Sequence, residues 1–109
     1  VLSNTTPKAR KNHACDYCGE KIQKGEIYHN QICVHDYIYQ WKSHISCKKL
    51  ADQFWIEYSY ELQMNDGMDH DDFMEFLYEA ISKLEDAVEY IYLSKSEQIE
   101  ILIKHYGLI

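Results

Sequence analysis

The spacing of apolar positions changes character twice along the chain. From Gly25 to His44, the segments EIYHNQIC and YIYQWKSH are rich in Ile, Tyr and Trp, with VHDY as a turn between them, which predicts a β-hairpin. Beyond Ser43, the expected N-cap, residues Cys47, Leu50, Ala51, Phe54, Trp55, Tyr58 and Leu62 recur at helical intervals and predict an amphipathic helix. QMNDGMDHDD breaks that pattern around Gly67. Asp69 with Asp72 three residues later has the form of an N-cap and first turn. Phe73, Phe76, Leu77, Ala80, Ile81, Leu84 and Val88 then form a second helical stripe. Residues 86–93 stay open between helix and strand, because AVEYIYL also alternates. Ser94 and Glu97 form a capping box for a last helix with Ile99, Leu102, Ile103 and Tyr106 inward and Gly107 at its end; Ile101 falls off that stripe.

These elements predict an α+β fold, a small β-hairpin/helix unit followed by a helical C-terminal half. A chain of 109 residues is one domain, or one domain with an appended subdomain. Residues 1–12 are polar and carry the only proline, so they read as a flexible arm; 13–62 form the hairpin unit and 63–109 a helical extension packed on it. Hydrophobic residues at 46% and aromatics at 14% argue for a folded globule and against disorder. No apolar run approaches the ~18–20 residues of a membrane span and no stretch is laid out as a signal peptide. The expectation is a cytoplasmic protein without membrane contact.

The hairpin is flanked by the chain's main chemistry. Cys15-x2-Cys18 precedes it and His44-x2-Cys47 ends it, separated by twenty-five residues. Three thiolates and an imidazole are the soft and borderline donors that tetrahedral Zn²⁺ prefers. A two-residue gap lets both sulfurs of a tight turn reach one ion, and Gly19 permits the left-handed backbone such a turn needs. On the second side, a gap of two on the first turn of a helix places both donors on one face. A redox pair would need a helix to begin at the Cys pair, and CGEKIQKGEIY has turn chemistry instead. One Zn²⁺ per chain, held by Cys15, Cys18, His44 and Cys47, is therefore expected. Cys33, His13, His29 and His35 are the candidates for a second metal, against the simpler reading of a buried filler and solvated imidazoles.

ACDYCGEKIQKGEIY followed by YQWKSHISC at the start of a helix resembles a treble-clef zinc finger, in an order similar to PARP-type and related fingers. Residues 10–50, with Trp41, Lys42, His44 and Cys47 in a W-K-x-H-x-x-C segment, also look like small zinc-binding proteins of bacteriophages and mobile elements. The resemblance implies a treble-clef fold, a metal and a bacterial host cytoplasm; it implies no activity.

Motif reading points away from an enzyme. Four protein ligands close the coordination that catalytic zinc leaves open. The chain has no HExxH, no Gly-x-Ser-x-Gly, no deaminase His-x-Glu and no phosphate-cradling glycine loop. Counting back from Gly67 puts Leu62 where a calcium loop requires Asp. A metal-dependent nuclease on the same scaffold would need a catalytic histidine, for which only His29 or His35 offers itself.

Net charge, −7 overall, is divided unevenly. Residues 1–49 hold eight Lys/Arg against four Asp/Glu, a balance of +4; residues 50–109 hold three against fourteen, a balance of −11. Neutralisation across an internal interface is the plain explanation of the split. Two binding readings compete with it. In the first, the acidic helical half engages a basic protein surface through Asp71, Asp72, Glu75 and Glu79. In the second, Lys8, Arg10, Lys11, Lys21, Lys24, Lys42, Lys48 and Lys49 bind nucleic acid.

Overall fold

A computed structural model describes residues 3–34, 36–62 and 68–108, with only the backbone considered at 59–62. Among these described residues five strands come first, β1 (Ser3–Thr5), β2 (His13–Ala14), β3 (Lys21–Ile22), β4 (Tyr28–Val34) and β5 (Ile38–His44), and four helices follow, α1 (Ile45–Leu62), α2 (His70–Ser82), α3 (Ala87–Tyr90) and α4 (Lys95–His105). β1, β4 and β5 form an antiparallel sheet in that order, and β2 and β3 form a separate ribbon. The expected hairpin is β4–β5, in register from Tyr28 opposite His44 to Val34 opposite Ile38.

Residues 3–9 are not a loose arm. β1 pairs with β4 from Ser3 opposite Ile32 to Thr5 opposite Asn30, Lys8 bridges Ile27, and Ala9 is buried. This strand is held by backbone hydrogen bonds at a sheet edge and needs no apolar alternation, which is why the sequence SNT gives no strand signal.

β5 runs into α1 without a loop: His44 ends the strand and Ile45 starts the helix. Ser43 is therefore a buried strand residue and not the N-cap, and its Oγ finds no hydrogen-bond partner among the described residues. Along α1, Cys47, Leu50, Ala51, Phe54 and Tyr58 are buried as the stripe predicts, whereas Trp55 is exposed; the Leu62 side chain lies outside the described residues.

The α2 cap forms as read. The Asp69 carboxylate accepts the Asp72 N–H at 2.9 Å, and the Asp72 carboxylate accepts the Asp69 N–H at 3.4 Å. Phe73, Phe76, Leu77, Ala80 and Ile81 are buried, but the helix stops at Ser82, so Val88 is not carried onto the stripe and stands exposed. The open question at 86–93 resolves as the short helix α3. At α4 the Ser94 Oγ accepts the Glu97 N–H at 3.3 Å and donates to the Glu97 carboxylate at 2.9 Å. Ile99, Leu102 and Ile103 are buried, and Gly107 ends the helix at φ +67°.

Buried residues from the β2–β3 ribbon, α1, α2 and α4 make one cluster, so the finger and the helical extension share a single core. Its aromatic centre is Phe54, with ring centroids 5.6 Å from Phe73 and 6.1 Å from Phe76; Tyr58 stacks on Phe76 at 4.8 Å. Tyr17 joins the ribbon to both neighbours, 5.3 Å from Trp41 on β5 and 5.3 Å from Phe73 on α2.

Candidate metal centre

The loop between β2 and β3 is a tight knuckle. The Gly19 N–H donates to the Cys15 carbonyl at 2.9 Å and the Cys15 N–H to the Glu20 carbonyl at 2.8 Å. Gly19 closes this turn at φ +80°, a conformation other residues adopt only under strain. Cys15 and Cys18 thereby point the same way. β5 delivers His44 and the first turn of α1 delivers Cys47.

The donor atoms of Cys15, Cys18, His44 and Cys47 all lie within 4.8 Å of one another. His44 Nδ1 is 3.4 Å from the Cys18 sulfur and 3.6 Å from the Cys47 sulfur. Zn–S bonds of about 2.3 Å and Zn–N bonds of about 2.0 Å in a tetrahedron require S···N edges of roughly 3.6 Å. The donor set fits Zn²⁺ in type, number and spacing.

The surrounding groups favour the same ion. His44 Nε2 donates to the Lys21 carbonyl at 3.0 Å, which leaves the Nδ1 lone pair for the metal. The Glu20 N–H approaches the Cys18 sulfur at 3.5 Å and favours its thiolate. Without a shared cation these groups compete for protons. Hydrogen bonds from Cys18 and then Cys47 push the Cys15 thiol far down, while Cys15 and Cys18 push the Cys47 thiol up. The sulfurs of Cys15 and Cys18 push the His44 imidazole up to about 11. A divalent cation replaces those protons and relieves the competition.

Four protein ligands saturate the tetrahedron and leave no position for water or substrate, so the centre is structural rather than catalytic.

Contacts beyond the ligands tie the knuckle to the rest of the chain. On one side the Asp16 N–H donates to the Lys42 carbonyl at 2.7 Å, and the Lys42 N–H donates to the Asp16 carboxylate at 2.7 Å. On the other, His70 Nδ1 donates to the Tyr17 carbonyl at 2.6 Å, and Lys95 Nζ to the Cys18 carbonyl at 3.4 Å. His70 packs so closely that a Cβ at Gly19 would lie 3.3 Å from its ring. His70 and Lys95 are the first residues of α2 and α4, and sequence reasoning assigns neither to the centre. Contacts spanning 53 and 77 residues leave no local signal.

The other candidates separate. His29 and Cys33 share one face of β4, His13 lies on β2 with its ring 5.3 Å from Tyr28, and His35 lies outside the described residues. Among the described residues no second group of three metal donors converges. Of the four acidic residues expected at a partner surface, Asp71 and Glu75 are exposed. Asp72 serves the α2 cap and Glu79 lies 3.6 Å from Lys83.

Fold and centre together define a zinc-finger-like α+β domain held by one Cys₃His site for a single Zn²⁺ ion. No family model, curated protein or solved structure matches the chain.

Proposed function

We propose that the domain is a zinc-stabilised interaction module whose helical half engages the basic surface of another protein. One observation carries this reading: the exposed faces of α2 and α3 combine unpaired acids with large apolar side chains. Asp71, Glu75 and Tyr78 recur at intervals of four and three on α2, and Glu85, Asp86, Val88, Glu89 and Tyr92 follow around α3. Tyr78 is 66% exposed, Val88 76% and Tyr92 84%. None of Asp71, Glu75, Glu85, Asp86 or Glu89 forms an ion pair among the described residues. Apolar side chains rimmed by one sign of charge are the composition of a protein-binding surface, and the charge speeds the encounter.

Knuckle, hairpin and a helix carrying the last ligand support a treble-clef assignment for the N-terminal half. An accessory role for a bacteriophage or mobile element, acting on a host protein in the bacterial cytoplasm, rests on the sequence resemblance. No helix among the described residues is long and apolar enough to cross a membrane.

The test is affinity capture from nuclease-treated bacterial lysate with the protein and with Asp71→Lys/Glu75→Lys/Glu89→Lys. These positions avoid the cap residue Asp72, so zinc content and helicity should be retained while a salt-sensitive partner is lost. Undiminished capture by the triple variant would remove the acidic half from the reading.

A further inference from the structure

We propose that the loops beside the zinc knuckle form a binding site for a nucleic-acid backbone, centred on Lys8, Arg10, Lys11, Lys24 and Lys42 with His13 among them. The fold gathers these residues. The segment before β2 lies antiparallel to the segment before β4: the Ala9 N–H donates to the Glu26 carbonyl at 2.8 Å and the Gly25 N–H to the Ala9 carbonyl at 2.8 Å. The Lys24 N–H donates to the Asn12 side chain at 2.8 Å, and Lys8 bridges Ile27. Lys8, Arg10 and Lys11 are thus set alongside Lys24. His13 follows on β2, which packs against β5, and Lys42 of β5 is fastened to the knuckle through Asp16.

The cations outnumber the acids around them, five to three. Lys8, Arg10, Lys11 and Lys24 are exposed, Lys42 is half-buried, and none forms an ion pair among the described residues. The nearby acids are Asp16, whose carboxylate accepts the Lys42 N–H and feels the Lys42 charge, Glu26, which accepts the Gln23 N–H at 3.1 Å, and Glu20. Five Lys/Arg of the chain's eleven gathered on these loops and the adjoining β5, against three acids, are unusual in a protein of net charge −7. Self-repulsion makes such a cluster unfavourable unless an anion binds it.

The structure also narrows the basic set. Lys48 is bound to Asp52 on α1 at 2.6 Å. Lys21 and Ala14 are opposite in register, and His13 is opposite buried Ile22, so Lys21 faces away from His13 across the ribbon. The knuckle and its metal hold the loops rigid, which lowers the ordering cost of binding. The molecule is 41 Å long, several times the ~8 Å screening length at physiological salt, so repulsion from the acidic half is damped. This site is independent of the acidic face proposed above, and Asp71→Lys/Glu75→Lys should leave it working.

The experiment measures fluorescence anisotropy of the zinc-loaded protein on a mixed-sequence 20-mer, single-stranded and duplex, from 50 to 200 mM salt. Five backbone contacts predict a slope of log affinity against log salt of about −4.5 on duplex and about −3.5 on a single strand, a loss on duplex of roughly 500-fold across that range. Lys11→Ala/Lys42→Ala should reduce the duplex slope by about two and weaken binding to all sequences alike. Lys48→Ala/Lys49→Ala should change neither, and zinc content reports folding throughout. The site is refuted by no binding at 50 mM salt, by a slope unmoved in Lys11→Ala/Lys42→Ala, or by an equal loss in Lys48→Ala/Lys49→Ala. Competition by polyglutamate as strong as by nucleic acid would make the cluster a general anion surface and equally overturn the assignment.

Discussion

Replacing His70 with alanine removes the ring nitrogen that donates to the Tyr17 carbonyl at 2.6 Å, between two of the metal ligands. A lost hydrogen bond costs about 0.5–1.5 kcal/mol net, and a partly buried carbonyl left without a donor adds about 1 kcal/mol more. The sum is near 2 kcal/mol. Because the knuckle has to be folded to bind the ion, folding free energy lost there appears as lost metal affinity. At about 1.4 kcal/mol per factor of ten, His70→Ala should weaken apparent Zn²⁺ affinity roughly 30-fold. Lys95→Ala, which removes a longer contact of 3.4 Å, should cost only about twofold to threefold. Competition against a chromophoric chelator reads both values, and amide exchange of residues 15–20 should quicken in the same order. If His70→Ala lowers the denaturation midpoint but leaves Zn²⁺ affinity within twofold of the parent, the link between α2 and the knuckle carries no energy and the reasoning fails.

Elemental analysis should find one zinc per chain, retained in Cys33→Ser and lost in Cys47→Ser, because Cys33 lies on β4 away from the four donors. Chelation should increase amide exchange in α2 and α4 as well as in residues 13–50, since cysteines and helical side chains share one core; helices left fully protected after verified zinc removal would contradict this. Phe54→Ala, at a position with no exposure, should destabilise by about 3–5 kcal/mol in chemical denaturation with the zinc site loaded. Burial lowers the His29 pKa below 6.5, so the unfolded chain takes up this proton first. Its contribution to stability is complete above that value and declines as the pH falls towards the folded pKa, and the imidazole resonances of His29 should titrate with a midpoint below 6.5.

Local signals carried most of the fold and all four metal ligands. The Cys-x2-Cys and His-x2-Cys pairs, the Asp69–Asp72 box and Ser94 before Glu97 are short-range patterns whose physics is complete within four residues. The misreadings share a different cause. Ser43 looked like a cap because a strand that becomes a helix without a loop has no punctuation, and His44 itself marks the junction. Val88 falls on the α2 period only if the helix runs past its true end, where the Lys83 N–H already bonds back to Ala80 and Ile81. Trp55 fits the period of α1 yet stands 40% exposed, so the period alone does not mark which of its positions the core reaches. His70 and Lys95 were invisible because a polar residue at a helix start reads as solvated until the fold sets a carbonyl opposite it.

The pairing of Asp16 with Lys42 has a consequence for solubility. β5 is an outer strand, and the backbone groups of Lys42 point outward, where Asp16 satisfies both N–H and C=O as a neighbouring strand would. The knuckle therefore acts as a cover on an edge that could otherwise recruit another chain. Among the described residues cover ends there: Gln40 and Ile38 face the same way by the two-residue alternation, and Ile38 is 68% exposed. Asp16 sits between Cys15 and Cys18, so the ion that orders the loop also keeps this cover in place. Loss of zinc uncovers Lys42 and joins it to the already open Gln40 and Ile38 as one continuous edge, so strand-to-strand aggregation is the expected fate of the metal-depleted protein.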